Sequence, residues 1–219
     1  MIDIITINKN NKKGLEDTIK SVISQTFFDK VNFIIIDGDS DDGSKEIIEK
    51  YKDKLFYHVS EPDGGIYNAM NKGIRASVSP YLLFLNSGDH LIENNVLEKV
   101  FPYLDGTDFL YGNEWKVNDK SKNYSPYEAK YPDKLDEGFF RRTSLPHQST
   151  FIKRELLLDG YDEKYRIISD WKWFIEAFRS GKTYKHLPFI ISVYDCGGFS
   201  YQNLSLMRQE KDNYYRNGV

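Results

Sequence analysis

Three short runs that are apolar almost throughout constrain this chain most: IDIITI (2–7), VNFIIID (31–37) and YLLFL (81–85). None alternates polar with apolar positions. A strand of that kind has no solvent side and belongs in a sheet covered on both faces, as parallel sheets are. Between the runs lie segments with helical spacing. Leu15, Ile19, Val22 and Ile23 fall at i, i+4, i+7 and i+8, and Ile47, Ile48 and Tyr51 mark another helix. LFYHV (55–59) reads as a further strand. Strand–helix alternation of this sort predicts an α/β fold: a mostly parallel, Rossmann-like mixed sheet with helices on both faces.

Beyond residue 100 the pattern is less regular. FLYGNEWKV (109–117), STFIK (149–153) and TYKHLPFIISVYD (183–195) read as strands, the last bent at Pro188, and a short helix should follow 153. SDWKWFIEAFRSG (169–181) is a helix stopped by Gly181, and Asn203 to Tyr215 a polar helix. The basic and tyrosine side chains from Arg208 to Arg216 could touch a membrane, but Glu210 and Asp212 dilute their charge, so that face reads as solvated or as an oligomer contact. The stretch 118–146 is polar and rich in Lys, Tyr and Pro, the composition of a long loop or lid. A length of 219 residues suits one domain. The formal net charge of -3 calls for no nucleic-acid partner. A single cysteine, Cys196, allows no internal disulfide and fits a reducing cytoplasm. MIDIITINKNNKK has no basic leader or long apolar core, so no signal peptide is expected, and no run reaches the length of a membrane span. The Asn-x-Ser triplets at Asn123 and Asn203 are of the kind that arise by chance.

Chemistry concentrates where strands end. In open α/β sheets, ligands bind beyond the carboxyl ends of the strands. Asp37 ends one strand, with Asp39, Asp41 and Asp42 behind it. A carboxylate there can accept from a base N–H or a ribose hydroxyl, or it can hold a turn and cap a helix. The run 81–85 ends in Asn86-Ser87-Gly88-Asp89, four turn residues that also stand at a strand tip. Beside a diphosphate, one carboxylate such as Asp89 can share a divalent cation. In EPDGGIYNAMNKGIRA (61–76), Gly64 and Gly65 leave backbone N–H groups open to an anion. On the following helix Asn68, Asn71, Lys72 and Arg75 form a stripe, either a ligand-facing surface or a solvated one. Asp170 opens a helix, where an acid also serves as a cap, and Trp171 and Trp173 after it can be core or a platform for a sugar ring. His147, in LPHQSTF, enters a strand from a loop, a place for a cleft residue or for a structural hydrogen bond. His58 and His186 read as structural strand residues. Glycine-rich nucleotide loops of the Gly-x-Gly-x-x-Gly and Gly-x4-Gly-Lys types are absent.

Taken in order, ITINKN, QTFFDKVNFIIIDGDSDDGS, SEPDGGIYNAMNKGI, LLFLNSGD, PHQSTF, ISDW and CGGFS resemble the family 2 glycosyltransferases of GT-A fold. They resemble in particular the bacterial branch that builds exopolysaccharide, capsule or O-antigen units, including colanic-acid-type enzymes. The resemblance covers nearly the whole chain. It implies one domain, with a nucleotide-sugar half (1–115) and an acceptor and base half (116–219). It implies a nucleotide-diphospho-sugar donor, UDP- or GDP-linked, a saccharide acceptor that is lipid-linked, and peripheral work at the inner membrane face. By position, Thr6, Asn8, Asp37 and Asp39 would hold base and ribose, and Asp63 and Lys72 would lie near the nucleotide and diphosphate. Asp170 matches the catalytic base. Asn86, Ser87, Gly88 and Asp89 occupy the place of an Asp-x-Asp-Asp metal motif, so Asp89 is the one acid left to hold Mn²⁺ or Mg²⁺. His147, Gln148 and Trp171 would stand near the acceptor or behind the site.

Three rivals are weaker. A haloacid-dehalogenase-type phosphatase carries its Asp-x-Asp on the first strand, continued by Asp-Gly-Thr or similar; here the strand is the second and Ser40 follows Asp39. A nucleotidyltransferase needs a glycine-rich basic loop, and INKNNKKG has too few glycines. A silent nucleotide-sugar-binding scaffold would explain the lost motif acids but not Asp170.

Overall fold

A computed structural model describes residues 1–117 and 125–216. The first three strands are β1 (Ile2–Asn8), β2 (Val31–Asp37) and β3 (Tyr57–Ser60). They interleave with α1 (Lys12–Ile23) and α2 (Ser44–Tyr51). Next come α3 (Ile66–Ala76), β4 (Tyr81–Phe84), a two-residue β5 (His90–Leu91) and α4 (Val96–Val100). The second half holds β6 (Phe109–Val117), β7 (Tyr127–Ala129), α5 (Glu137–Arg142) and β8 (Thr150–Lys153). It closes with α6 (Ser169–Arg179), β9 (Tyr184–Asp195), α7 (Phe199–Gln202) and α8 (Leu204–Arg216).

The strands form one sheet in the order β3-β2-β1-β4-β8-β6-β9-β5, with β7 paired to β6. β1 pairs in parallel with β2 and β4, and β2 with β3; β8 runs antiparallel to both β4 and β6. β6 and β9 are parallel again, so β9 ends on the same side as β1, β2 and β4.

Two-sided burial explains the all-apolar runs. Successive side chains of a strand point to opposite faces. Ile34, Ile36, Leu82 and Phe84 enter the core under α3, α5 and α6; Phe33, Ile35, Leu83 and Leu85 enter the core under α1, α2 and α4. Each such side chain contributes about 1.5–3 kcal/mol on burial, so a polar residue on either face would cost heavily. Helix α3 lies hard on the sheet: a Cβ on Gly73 would meet Ile5 Cγ2 at 2.4 Å.

Register aligns those tips. Asn8 stands opposite Asp37, and Asp37 opposite Ser60. Backbone pairing with β1 continues past β4, from Leu85 N–H to Ile5 C=O (2.9 Å) and Ser87 N–H to Ile7 C=O (3.1 Å). The 86–89 turn is thereby set beside Asn8.

Several boundaries differ from the sequence expectation. The third strand begins at Tyr57, because 52–54 form a 3-10 turn, and it is an exposed edge with His58 in solvent. The short helix after 153 is the 3-10 turn Arg154–Leu157. Within 118–146 lie β7 and α5, too short and polar to show periodicity; its first part, with Asn123, falls outside the described residues. The bend at Pro188 appears as register shifts of β9 on β6 between Gly112 and Glu114. Gly181 ends α6 region with φ +72°, a left-handed value that suits glycine. Glu210, expected on a solvated face, is buried: its carboxylate turns inward to the loop before α6. No helix of the described residues is long and apolar enough to cross a membrane.

Candidate active site

The carboxyl ends of β1, β4 and β9, the start of α3 and the loop before α6 enclose a cleft of about 710 Å³. Asn8, Asp63, Asn86, Ser87, Asp89 and His147 line it. Thr6, Asp37, Asp39, Lys72, Gly88, Gln148, Trp171 and Asp170 do not; Asp170 is joined to the wall through its hydrogen bonds with the lining residues Tyr67 and His147, and the others have definite places elsewhere.

Asp37 lies behind the wall as a clasp. Its Oδ1 accepts from Asn8 Nδ2 (2.7 Å) and Ser40 Oγ (2.6 Å); its Oδ2 accepts from Ser40 N–H (2.9 Å) and Ser60 Oγ (2.5 Å). Burial alone would push this carboxyl up, but the donors from Ser40, Ser60 and Asn8 outweigh it and hold it below the usual carboxylate range. Thr6 is wholly buried and donates to Leu85 C=O (2.6 Å). Asp39 turns outward, in a left-handed conformation (φ 62°), and pairs with Lys45 (2.5 Å).

Asp63 accepts from Gly65 N–H (2.9 Å) just before α3. Its Oδ2 lies where a Cβ on Gly38 would sit, 2.3 Å away, so the two segments touch only because residue 38 is glycine. Lys72 is spent: its ammonium donates to Pro62 C=O (2.9 Å) and pairs with Glu61 (2.7 Å). The asparagine stripe of α3 is spent too. Asn68 and Asn71 both donate to the Glu163 carboxylate, at 2.9 and 2.8 Å, and Asn71 also exchanges hydrogen bonds with the Tyr161 backbone. These amides pin the 161–163 loop against α3.

The Asn86-Ser87-Gly88-Asp89 segment is both turn and site wall. Asp89 N–H bonds Asn86 C=O (2.9 Å) across the turn, and Gly88 has φ +107°, the positive angle such a turn requires. Thr18 of α1 clasps it, accepting from Gly88 N–H (3.1 Å) and donating to Asp89 C=O (2.6 Å). Asp89 is 5 % exposed and accepts from Asp195 N–H (3.1 Å). Burial, the largest influence, pushes its carboxyl up to about 7. The buried Asn86 Oδ1 has no hydrogen-bond partner. A buried carboxylate with few donors and an orphaned amide oxygen fit a hard cation that draws most of its shell from phosphate and water. Among the described residues no group of three or more His, Cys, Asp or Glu is placed to hold a metal ion by itself.

Asp170, in the first turn of α6, meets two partners from distant segments. Tyr67 Oη lies 2.6 Å from its Oδ1 and 2.5 Å from Ile167 C=O; His147 Nδ1 lies 3.0 Å from its Oδ2. With His147 Nδ1–H facing Asp170, its other ring nitrogen accepts from Asn86 Nδ2 (3.1 Å), so the Asp170 pocket and the NSGD turn are one hydrogen-bonded chain. Burial pushes Asp170 up, yet the bond and charge of His147 and the bond from Tyr67 prevail, and the carboxyl sits below its ordinary value. His147 moves the opposite way: burial lowers it, while Asp170, Asp89 and Glu114 outweigh this and raise it. Asp170 is therefore a carboxylate near neutrality, and 15 % of its side chain stays exposed.

Gln148 and Trp171 stand behind. The Gln148 amide donates to buried Glu114. Trp171 is 2 % exposed, with its indole N–H on Phe140 and Thr143 C=O at 2.8 and 3.0 Å; it is core and not a sugar platform. Tyr67, Arg166 and Asp195 are wall residues to which the sequence reading gave no role. Asp195 ends a strand as Asp37 does, and the same strand-tip argument would have found it. Tyr67 carried no signal, since it shares the apolar face of α3.

The comparisons with known proteins agree with this architecture. Residues 3–168 match the family described as "Glycosyl transferase family 2". An uncharacterized glycosyltransferase of Mycobacterium tuberculosis is 30 % identical over 179 residues, 80 % of this chain and 68 % of that protein. A PGL/p-HBAD biosynthesis glycosyltransferase of Mycobacterium bovis is 28 % identical over 211 residues, 91 % of this chain and 79 % of that protein. Among solved structures, S. aureus TarS 1-349 in complex with UDP-GlcNAc superposes with TM-score 0.75 at 18 % identity, over 95 % of this chain and 64 % of that one. The mannosyltransferase PcManGT from Pyrobaculum calidifontis, in complex with GDP-Man and Mn²⁺, gives 0.70 at 14 % identity, over 94 % and 60 %. The chain thus spans less than two thirds of these solved chains, and shares with them the GT-A fold. By the family match over most of its length, the chain belongs to glycosyl transferase family 2.

Proposed function

We propose that this chain transfers a sugar from a nucleotide-diphospho-sugar to an acceptor hydroxyl with inversion at the anomeric carbon. The observation that carries the reading is Asp170, an ionised carboxylate fixed by Tyr67 and His147 beside the cleft at the strand tips. The solved relatives with UDP-GlcNAc and with GDP-Man support a donor of this class. In this reading Asn8, held by Asp37, and Asp63, both on the cleft wall, serve the nucleotide.

The acceptor oxygen attacks the anomeric carbon opposite the leaving diphosphate. The bond to the diphosphate breaks as the new glycosidic bond forms, and the diphosphate leaves with the electron pair. Asp170 takes the acceptor's proton, and Tyr67 and His147 keep the carboxylate oriented while it does so. Asp89, with the Asn86 amide oxygen, would hold Mn²⁺ or Mg²⁺, which when bound neutralises charge on the departing diphosphate. The acceptor we favour is a lipid-linked saccharide of a bacterial surface polysaccharide, handled at the inner membrane face by an enzyme of the exopolysaccharide, capsule or O-antigen branch.

The test is calorimetric binding of UDP, GDP and dTDP, with and without Mn²⁺, to the wild type and to Asp89→Ala. One nucleotide should bind tightly, and Mn²⁺ should strengthen it only when Asp89 is present. Metal-independent binding that survives Asp89→Ala would make the NSGD segment a turn alone. Binding of none would favour a silent scaffold.

A further inference from the structure

The charge lining the cleft is one-sided. Asp63, Asp89, Asp195 and Glu163 all reach it, and a diphosphate entering there meets acids on several sides. The cations that would balance it are few. Among the described residues, Lys9 and Arg166 are the lysine and arginine of the lining. Lys9 is committed to carbonyl oxygens of Gly38 (2.5 Å) and Asp39 (3.0 Å), and Lys72 to Glu61 and Pro62 outside the lining. Arg166 forms no ion pair among the described residues; its guanidinium faces the ring of Phe199 at 5.8 Å.

The backbone beneath Arg166 is unusually well held for a loop. One buried carboxylate, Glu210 of α8, accepts from three successive N–H groups: Arg166 (2.7 Å), Ile167 (3.0 Å) and Ile168 (3.3 Å). The same turn delivers Asp170 four residues later. The backbone that carries the Arg166 side chain is therefore fixed relative to Asp170. Arg166 and Asp89 line the same cleft, and in the reading above Asp89 serves the departing diphosphate, so Arg166 is the lining cation left for the β-phosphate. A guanidinium offers two parallel N–H donors that match phosphate oxygens, which an ammonium cannot do.

We propose that Arg166, seated by Glu210 and flanked by Phe199, grips the β-phosphate of the donor, in the place that the sequence pattern suggests for Lys72. This rests on the nucleotide-sugar reading above and assigns the diphosphate contact within it.

The experiment compares nucleoside diphosphate with monophosphate (UDP and UMP, GDP and GMP, dTDP and dTMP) by calorimetry in Mn²⁺. The proteins are wild type, Arg166→Gln, Arg166→Lys and Lys72→Gln. For the base that binds, Arg166→Gln should weaken the diphosphate about tenfold or more, as expected for a lost charged hydrogen-bond pair. The monophosphate should change by less than about twofold on the same scale, Arg166→Lys should recover part of the loss, and Lys72→Gln should match wild type. Equal weakening of diphosphate and monophosphate would mean that Arg166 only supports the loop, and overturns the proposal. So does an unchanged diphosphate affinity, or a diphosphate-specific loss in Lys72→Gln. If the wild type binds none of the six nucleotides, the donor reading itself fails, which is a distinguishable result.

Discussion

Asp37 and Asp170 are both sequestered carboxylates near one cleft, in the two halves of the chain, and they are built differently. Asp37 receives four hydrogen bonds from Asn8, Ser40 and Ser60, all at neighbouring strand tips. Its acceptor capacity is filled by the protein. Asp170 has Tyr67 and His147 as side-chain partners and keeps part of its side chain in contact with solvent. A carboxylate that the protein saturates holds structure together. One that the protein does not saturate and that keeps a solvent-facing edge retains a lone pair for a substrate proton. The first half of the chain thus closes on itself through this acid, and the second half presents one.

Asp170→Asn should break this contrast most visibly. Turnover should fall by roughly 10²–10⁴, the usual worth of a positioned base. Nucleoside diphosphate affinity and the melting midpoint should stay near wild type. Near-normal turnover in that variant would place the base elsewhere. Asp37→Ala should act the other way, on stability, because it strands buried donors of Asn8, Ser40 and Ser60. A loss of about 2–4 kcal/mol in urea unfolding is expected.

The pH dependence has a definite sign. The folded value of Asp37 lies below its unfolded one, so its contribution is present at neutral pH and is lost as pH falls below the ordinary carboxylate range. The urea midpoint of the wild type should therefore drop more steeply on acidification than that of Asp37→Asn. Parallel curves would show that Asp37 is no clasp. The smallest effect is expected for His147→Gln. The base keeps Tyr67 and loses one partner, so turnover should fall only about tenfold, as for one charged hydrogen bond. A loss as large as that of Asp170→Asn would make His147 itself part of the proton transfer.

How much was legible follows the same division. The runs at 2–7, 31–37 and 81–85 and the helices between them were readable, because burial on both faces leaves a one-dimensional trace in composition. Asp37, Asp89 and Asp170 could be marked from their places at strand and helix ends. The asparagines of α3 were visible as a stripe, but their use was not: they meet Glu163, some ninety residues away, and hold a loop. Lys72 looked available because Glu61 and Pro62 fold back on it only in three dimensions.

By itself, then, the sequence determined the layered α/β sheet and the points where its strands stop, since both follow from local periodicity and from turn residues such as Gly88. The tertiary structure alone decided which polar groups are spent and which remain open. Tyr67 and His147 converge on Asp170, Glu210 reaches the turn below Arg166, and Trp171 sinks into the core. The physical reason is that hydrogen-bond capacity is short-ranged and saturable. Whether a carboxylate, amide or cation is free depends on which atoms lie within about 3 Å, and for these residues those atoms come from far along the chain.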